Sequence, residues 1–187
     1  MKKNFVNILL LALIFGVSSI YAAQFLKPES VKQDVSQRQV LNILFVGNSY
    51  IFFNDMPDVI KELAAHDPDA PFRIETKTLA AGGATLASLL TRPDTNKILT
   101  SKQWHYVVLQ PQSLWATTKA RTASTNLALM QWNNKINKIG ALPVFFMTWP
   151  RKPGTNWYQL PKFKFIKSPD FMFSRIQQDS KKYADKL

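Results

Sequence analysis

A serine stands where a buried strand is predicted to turn into a helix. The run NILFVGNSY, residues 42–50, starts with apolar residues and ends on Gly47-Asn48-Ser49 and a tyrosine. A helix start signal follows at 54–58. A serine at such a turn is exposed at the end of a sheet, beside backbone N–H groups that can stabilise an oxyanion. The pattern therefore predicts that Ser49 is a nucleophile.

Two other turns offer hydrogen-bond donors to the same place. Gly83, or its neighbour Gly82, lacks a side chain, so a ligand can approach its backbone N–H closely. Gln112 offers a side-chain amide. Together with the N–H of Ser49, these groups are predicted to form an oxyanion hole of three donors.

The elements that must position these turns alternate along the chain. Strands are predicted over 40–46, 72–79, 105–109 and 142–148, and helices over 56–65, 86–90, 123–139 and 172–187. This alternation is typical of a parallel sheet with helices on both faces, where sites lie at the carboxyl ends of the strands. Strand two alternates polar and apolar residues, which indicates an edge position. We expect Asn54 or Asp55 to cap the first helix, and Leu127, Met130 and Ile136 to face inward from the third.

An aromatic segment over 150–173 follows the fourth strand and is predicted to form a loop over the site. Its aromatic rings would either bind sugar rings or acyl chains, or pack down on the sheet. The predicted substrate contacts are Asn48, Trp115, Trp149 and Trp157.

At these residues the chain resembles the SGNH (GDSL-like) hydrolases. Gly47-Asn48-Ser49 resembles their Gly-Asp-Ser block, and Gly83-Ala84-Thr85 resembles their second block, a glycine with Thr or Ser two residues on. Gln110-Pro111-Gln112-Ser113 aligns with their Gly-x-Asn-Asp block, with Gln where the family has Asn. The resemblance covers about 41–149 and implies a three-layer, flavodoxin-like domain with strand order 2-1-3-4, and ester hydrolysis without a cofactor or metal.

The family's last block, Asp-x-x-His, supplies the catalytic base, and it is absent from this sequence. The two histidines are His66, at the end of a predicted helix, and His105, at the start of a predicted strand. Neither position is near Ser49. We therefore expect the sequence to stop before the family's last strand, or to be an inactive relative, and we expect little esterase activity from it.

The N-terminus has the pattern of an export signal. Lys2 and Lys3 precede an apolar run that ends in small residues near Ala22, which predicts a signal peptide over 1–22, or an uncleaved anchor helix. A linker over 23–39 and a hydrolase-like domain over 40–187 follow. We expect the protein to be exported, to the periplasm or the exterior, and to meet a membrane only transiently through its signal.

Composition restricts the chemistry. The sequence has no cysteine, which excludes thiol catalysis, disulfides and thiolate metal sites. The net charge of +12 is either a solvated face or a surface that attracts anionic envelope polymers, and no nucleic-acid partner is expected. The predicted function is deacylation of a carbohydrate or another small ester. The alternative is a secreted binding protein that uses the same cleft without turnover. An exposed fourth strand would also favour self-association.

Overall fold

The computed structural model describes residues 35–184. The predicted signal peptide, the linker up to residue 34 and residues 185–187 lie outside this range. The described helices and strands, in chain order, are β1 Gln39–Gly47, α1 Ser49–Phe52, α2 Met56–His66, β2 Phe72–Ala80, α3 Leu86–Leu90, α4 Thr95–Leu99, β3 Tyr106–Leu109, α5 Lys119–Lys138, β4 Leu142–Phe145 and α6 Pro169–Ala184. Three short 3₁₀ helices accompany them, at Val35–Gln37, Asn156–Tyr158 and Pro161–Ile166.

The four strands form one parallel sheet in the order β2-β1-β3-β4. Every pair is parallel, with Phe45 of β1 level with Thr78 of β2 and with Val108 of β3. The predicted α/β class, strand order and edge position of β2 are therefore confirmed. The central strands β1 and β3 are apolar because helices cover both of their faces.

Alternate residues of the central strands supply the cores on the two faces. On one face, the side chains of Leu44, Val46, Val107 and Leu109 are buried with residues from α3, α5 and α6. On the other, Phe45 and Val108 are buried with Ile51 and contact α2. The result is a sheet between two helical layers, whose rigid strands fix the positions of the loops at their carboxyl ends.

The buried face of α5 differs from the predicted one. Leu127 and Met130 are 63% and 62% exposed, although Ile136 is buried as predicted. The face toward the sheet is instead set by Trp132, which is fully buried and donates its indole N–H to the carbonyl of Leu86 at 2.9 Å. Burial of the largest side chain with a satisfied N–H outweighs the burial of two smaller ones.

The fourth strand is shorter than predicted and stands at the edge of the described sheet. It ends at Phe145 rather than at residue 148, although the N–H of Phe146 still donates to the carbonyl of Leu109. Beyond Leu109, Gln110 and Pro111 turn out of β3, so the next residues of β4 have no ladder to join.

The domain begins slightly before the predicted end of the linker. β1 starts at Gln39, and the side chain of Arg38 is 5% exposed. Its guanidinium donates to the carbonyls of Ala64, Asp67 and Pro68, which closes the C-terminal end of α2. Across residues 35–184, no helix has the length and apolar character that a membrane span requires.

Candidate active site

The turn between β1 and α1 holds Ser49 at the carboxyl end of the sheet. Asn48 caps α1: its Oδ1 accepts from the N–H of Tyr50 at 3.2 Å, and its Nδ2 donates to the carbonyl of Ala84 at 3.1 Å. Asn48 is only 3% exposed. Its amide, which the sequence predicted to contact substrate, therefore joins the Ser49 turn to the glycine turn after β2.

A third loop is tied to the same turn through Gln110, which the sequence analysis did not select. Gln110 is fully buried, and its Oε1 accepts from the N–H of Asn48 at 2.9 Å. Its Nε2 donates to the carbonyl of Pro111. A glutamine directly after an apolar strand was the available signal, because a buried polar side chain needs partners within the fold.

Gly47 is required by the same packing. A Cβ at this position would lie 2.5 Å from Oε1 of Gln110 and 2.6 Å from Cδ1 of Ile51. Both distances are shorter than van der Waals contact. The absence of a side chain at Gly47 is therefore what allows Gln110 to reach behind the serine turn.

The three predicted oxyanion donors donate no hydrogen bond to any residue that the structure describes. The N–H of Ser49 is at the first position of α1, and neither it nor the N–H of Gly83 donates to another residue of the 35–184 range. Gly83 has φ of +66°, a conformation that favours glycine. Gln112 uses its Oε1 to accept from the N–H of Leu114 at 2.8 Å, which leaves its Nε2 available.

Gln112 and Trp115 share a cavity with the start of α3. This cavity, the Gln112 cavity, has a volume of about 410 Å³ and is lined by Thr85, Leu86, Ala87, Gln112, Trp115, Thr118, Ala120, Arg121, Ser124 and Thr125. Trp115 is 1% exposed and packs edge-on against Phe145 with ring centroids 5.6 Å apart. Its ring is therefore mostly core, and little of it is left for the substrate contact that the sequence predicted.

The other two predicted contact residues, Trp149 and Trp157, border a second cavity. This Arg151 cavity has a volume of about 430 Å³ and is lined by Tyr50, Trp149, Pro150, Arg151, Lys152, Thr155 and Trp157. Tyr50 directly follows Ser49, and its ring stacks on Trp149 with centroids 4.7 Å apart and planes 5° apart. The cavity thus adjoins the serine turn.

The aromatic segment after β4 packs partly into the core and partly lines a cavity. Phe163, Phe165 and Ile166 pack with Trp115 and α6 in a separate core cluster. Trp149 and Trp157 remain at the Arg151 cavity. Burial raises the pKa of the Tyr158 hydroxyl, against the opposing effect of the nearby Arg151 cation.

Neither histidine is placed to act on Ser49. His105 lies level with Asn42 near the start of β1, where its Nδ1 accepts from the N–H of Asn42 at 2.9 Å. Asn42 and Ser49 are seven positions apart along β1 and the turn that follows it, or roughly 20 Å. His66 ends α2, with its side chain 81% exposed. Within the described range, no three acidic or histidine side chains cluster in a way that could hold a metal ion.

Comparison with solved structures places the fold. A candidate SGNH hydrolase from Slackia heliotrinireducens superposes with a TM-score of 0.65 at 27% identity, covering 79% of this chain and 76% of that one. A DUF4886 family protein from Bacteroides uniformis superposes with a TM-score of 0.61 at 17% identity, covering 79% of this chain and 64% of that one. No protein-family model and no curated protein sequence matches the chain. In its fold, and in the strand-to-helix turn that carries its serine, the chain resembles the SGNH hydrolases.

Proposed function

We propose that the chain carries the nucleophile and oxyanion donors of an ester hydrolase, with Ser49 as the acyl acceptor. The observation that carries this proposal is the junction of three loops around one serine. Asn48 bonds to Ala84 on one side and to Gln110 on the other, which ties the loops that carry Gly83 and Gln112 to the turn that carries Ser49. The substrate class is a small ester, such as an acylated carbohydrate.

The chemistry begins when Oγ of Ser49 attacks the ester carbonyl. The C–O bond to serine forms, the hydroxyl proton passes to a base, and the N–H of Ser49, the N–H of Gly83 and Nε2 of Gln112 would donate to the oxyanion. The alcohol leaves with a proton, and water then releases the acid from the acyl-serine. Neither histidine of the sequence lies within reach to serve as the base.

Imidazole added to the solution can take the place of the base. We expect weak hydrolysis of a small aryl acetate by the chain alone, since a site without its base retains only a small residual rate. Imidazole hydrolyses the ester slowly by itself, and this background rate is subtracted. The remaining, protein-dependent rate should rise when imidazole is added, and Ser49→Ala should abolish that rise. The matched control is Ser174→Ala, which alters an exposed serine on α6. Imidazole-dependent hydrolysis that survives Ser49→Ala would refute the assignment of the nucleophile.

The second candidate is a binding protein that uses the same cleft without turnover. The positions of His66 and His105 favour it, because both leave Ser49 without a base. In this case imidazole produces no Ser49-dependent rate, while saccharide ligands still bind. The same pair of measurements therefore separates the two functions.

A further inference from the structure

The Arg151 cavity contains positive charge that no described residue neutralises. Arg151 and Lys152 both line it, and none of its seven lining residues is acidic. The ion pairs found across residues 35–184 involve neither of these two cations. A half-buried guanidinium without a counter-ion is a position where an anion can gain a full charge-assisted interaction.

The Arg151 guanidinium is held in place but keeps donors free. Its Nη2 donates to Oγ of Ser113 at 2.9 Å, and its planar group lies over the Trp157 ring, with Cζ 4.2 Å from the centroid. Its Nε is buried and has no hydrogen-bond partner among the described residues. Oγ1 of Thr155, which also lines the cavity, is buried and unpartnered in the same way. Buried polar groups without partners mark a place where a ligand can supply the missing bonds.

The remaining walls are flat and aromatic. The stacked pair of Tyr50 and Trp149 forms one side, and Trp149 is 50% exposed. Trp157 adds a further ring. Aromatic faces gain dispersion energy from the C–H face of a sugar ring, while a guanidinium recognises the planar oxygens of a carboxylate or the oxygens of a sulfate. The combination suits a ring that carries both an apolar face and a negative charge.

We infer that the Arg151 cavity is a subsite for an anionic saccharide, a sugar ring that bears a carboxylate or a sulfate. The inference rests on the proposed function only for its link to catalysis: Tyr50 lines the cavity and directly follows Ser49, so a sugar held here would adjoin the serine turn. Arg151 would bind the anionic group, Lys152 would add attraction, and Trp149 and Trp157 would stack on the ring.

The test measures binding rather than turnover, with ligands that carry no ester. Trigalacturonate, maltotriose and a singly sulfated maltotriose are titrated into the protein, and affinity is followed by calorimetry. We expect both anionic ligands, or one of them, to bind about tenfold or more tighter than neutral maltotriose. Arg151→Gln should abolish this difference and leave maltotriose binding unchanged.

The matched control is Arg121→Gln. Arg121 also lies over an aromatic ring, that of Phe165 at 5.6 Å, but it lines the Gln112 cavity. Its loss removes the same charge and should leave the affinity for the anionic ligands unchanged. Equal affinity for all three ligands, or an equal loss in Arg121→Gln and Arg151→Gln, would overturn the inference.

A second variant keeps the test decisive if Arg151→Gln fails to fold. Lys152 is exposed and its side chain makes no hydrogen bond or ion pair within the described range, so Lys152→Gln should fold normally. This substitution should lower the affinity for the anionic ligands severalfold and leave the affinity for maltotriose unchanged. An unchanged affinity would contradict the inference. Binding that persists while imidazole-dependent hydrolysis is absent would instead reject only the proposed catalytic function.

Discussion

The backbone N–H of Asn48 donates a hydrogen bond of 2.9 Å to Oε1 of the fully buried Gln110. This bond joins the residue before Ser49, the proposed nucleophile, to the end of the neighbouring strand. Asn48 in turn bonds through its side chain to Ala84 beyond β2. The serine turn is therefore held from both sides by groups that never need to touch substrate, which is how a rigid scaffold fixes a reactive side chain.

Gln110→Leu should destabilise the protein by about 1–3 kcal/mol, because it leaves the N–H of Asn48 buried without an acceptor. Urea unfolding followed by tryptophan fluorescence measures the loss. Gln131→Leu is the control, since Gln131 is exposed on α5 and should change stability very little. Equal effects of the two substitutions would show that the Asn48–Gln110 bond contributes nothing specific.

Gly47→Ala should also lower the free energy of unfolding by about 1–3 kcal/mol, because the added methyl group has no room. The new methyl group would meet Gln110 and Ile51 at distances that require the turn to shift. The control is Gly82→Ala, since a Cβ at Gly82 meets no atom within 4 Å. Thermal unfolding of the two variants provides the comparison. A Gly47→Ala protein as stable as Gly82→Ala would mean that the turn can relax freely.

Tyr183 should make the domain sensitive to alkali. Burial raises the pKa of its hydroxyl from 10.0 to about 12. The folded state thus favours the neutral phenol, so this stabilising contribution is complete below pH 10 and is lost as the pH rises toward 12. In Tyr183→Phe the loss of stability between pH 9 and pH 11.5 should be smaller than in the parent. The hydroxyl donates only one bond, at 3.4 Å to the carbonyl of Leu129, so the variant should be nearly as stable at neutral pH.

The urea midpoint at each pH gives this comparison directly. Other groups that titrate in the same range contribute equally to both proteins, and the difference between them isolates Tyr183. Parallel pH curves for the two proteins would contradict the prediction.

Pro143 should limit pairing through the outer edge of β4. Leu142 and Phe146 direct their N–H groups toward β3, so residues 143 and 145 face the other way. Proline has no N–H, and Phe145 is therefore the one residue of β4 with an outward N–H. Pro143→Thr would restore an outward N–H donor at residue 143. The residues on either side of it, Leu142 and Val144, are exposed and apolar.

We expect Pro143→Thr to self-associate more strongly than the parent chain, as measured by sedimentation velocity over a range of concentrations. Ala123→Thr, which adds the same side chain at an exposed position of α5, should behave as the parent does. Identical sedimentation of all three proteins would show that strand addition at β4 does not occur.

The sequence by itself determined the order and type of the main elements, because their signals are local. An apolar run bounded by turn residues predicts a buried strand wherever it occurs, and four such runs separated by helical segments leave a parallel sheet as the simple solution. From that topology it also followed that Ser49 lies at one end of the sheet and His105 at the other, which the register of β1 and β3 confirms.

Only the tertiary structure decided which side chains meet across loops. Gln110 and Gln112 are two positions apart in one turn, yet Gln110 is buried behind the serine turn and Gln112 borders a cavity. Which face of α5 is buried depended on the hydrogen bond from Trp132 to the carbonyl of Leu86. The spacing of apolar residues along the helix did not decide it. Arg151 looked like one basic residue among many in the sequence. It lies over the Trp157 ring and also beside Tyr50, which is about a hundred positions earlier in the sequence, and a contact between such distant residues leaves no local pattern to read.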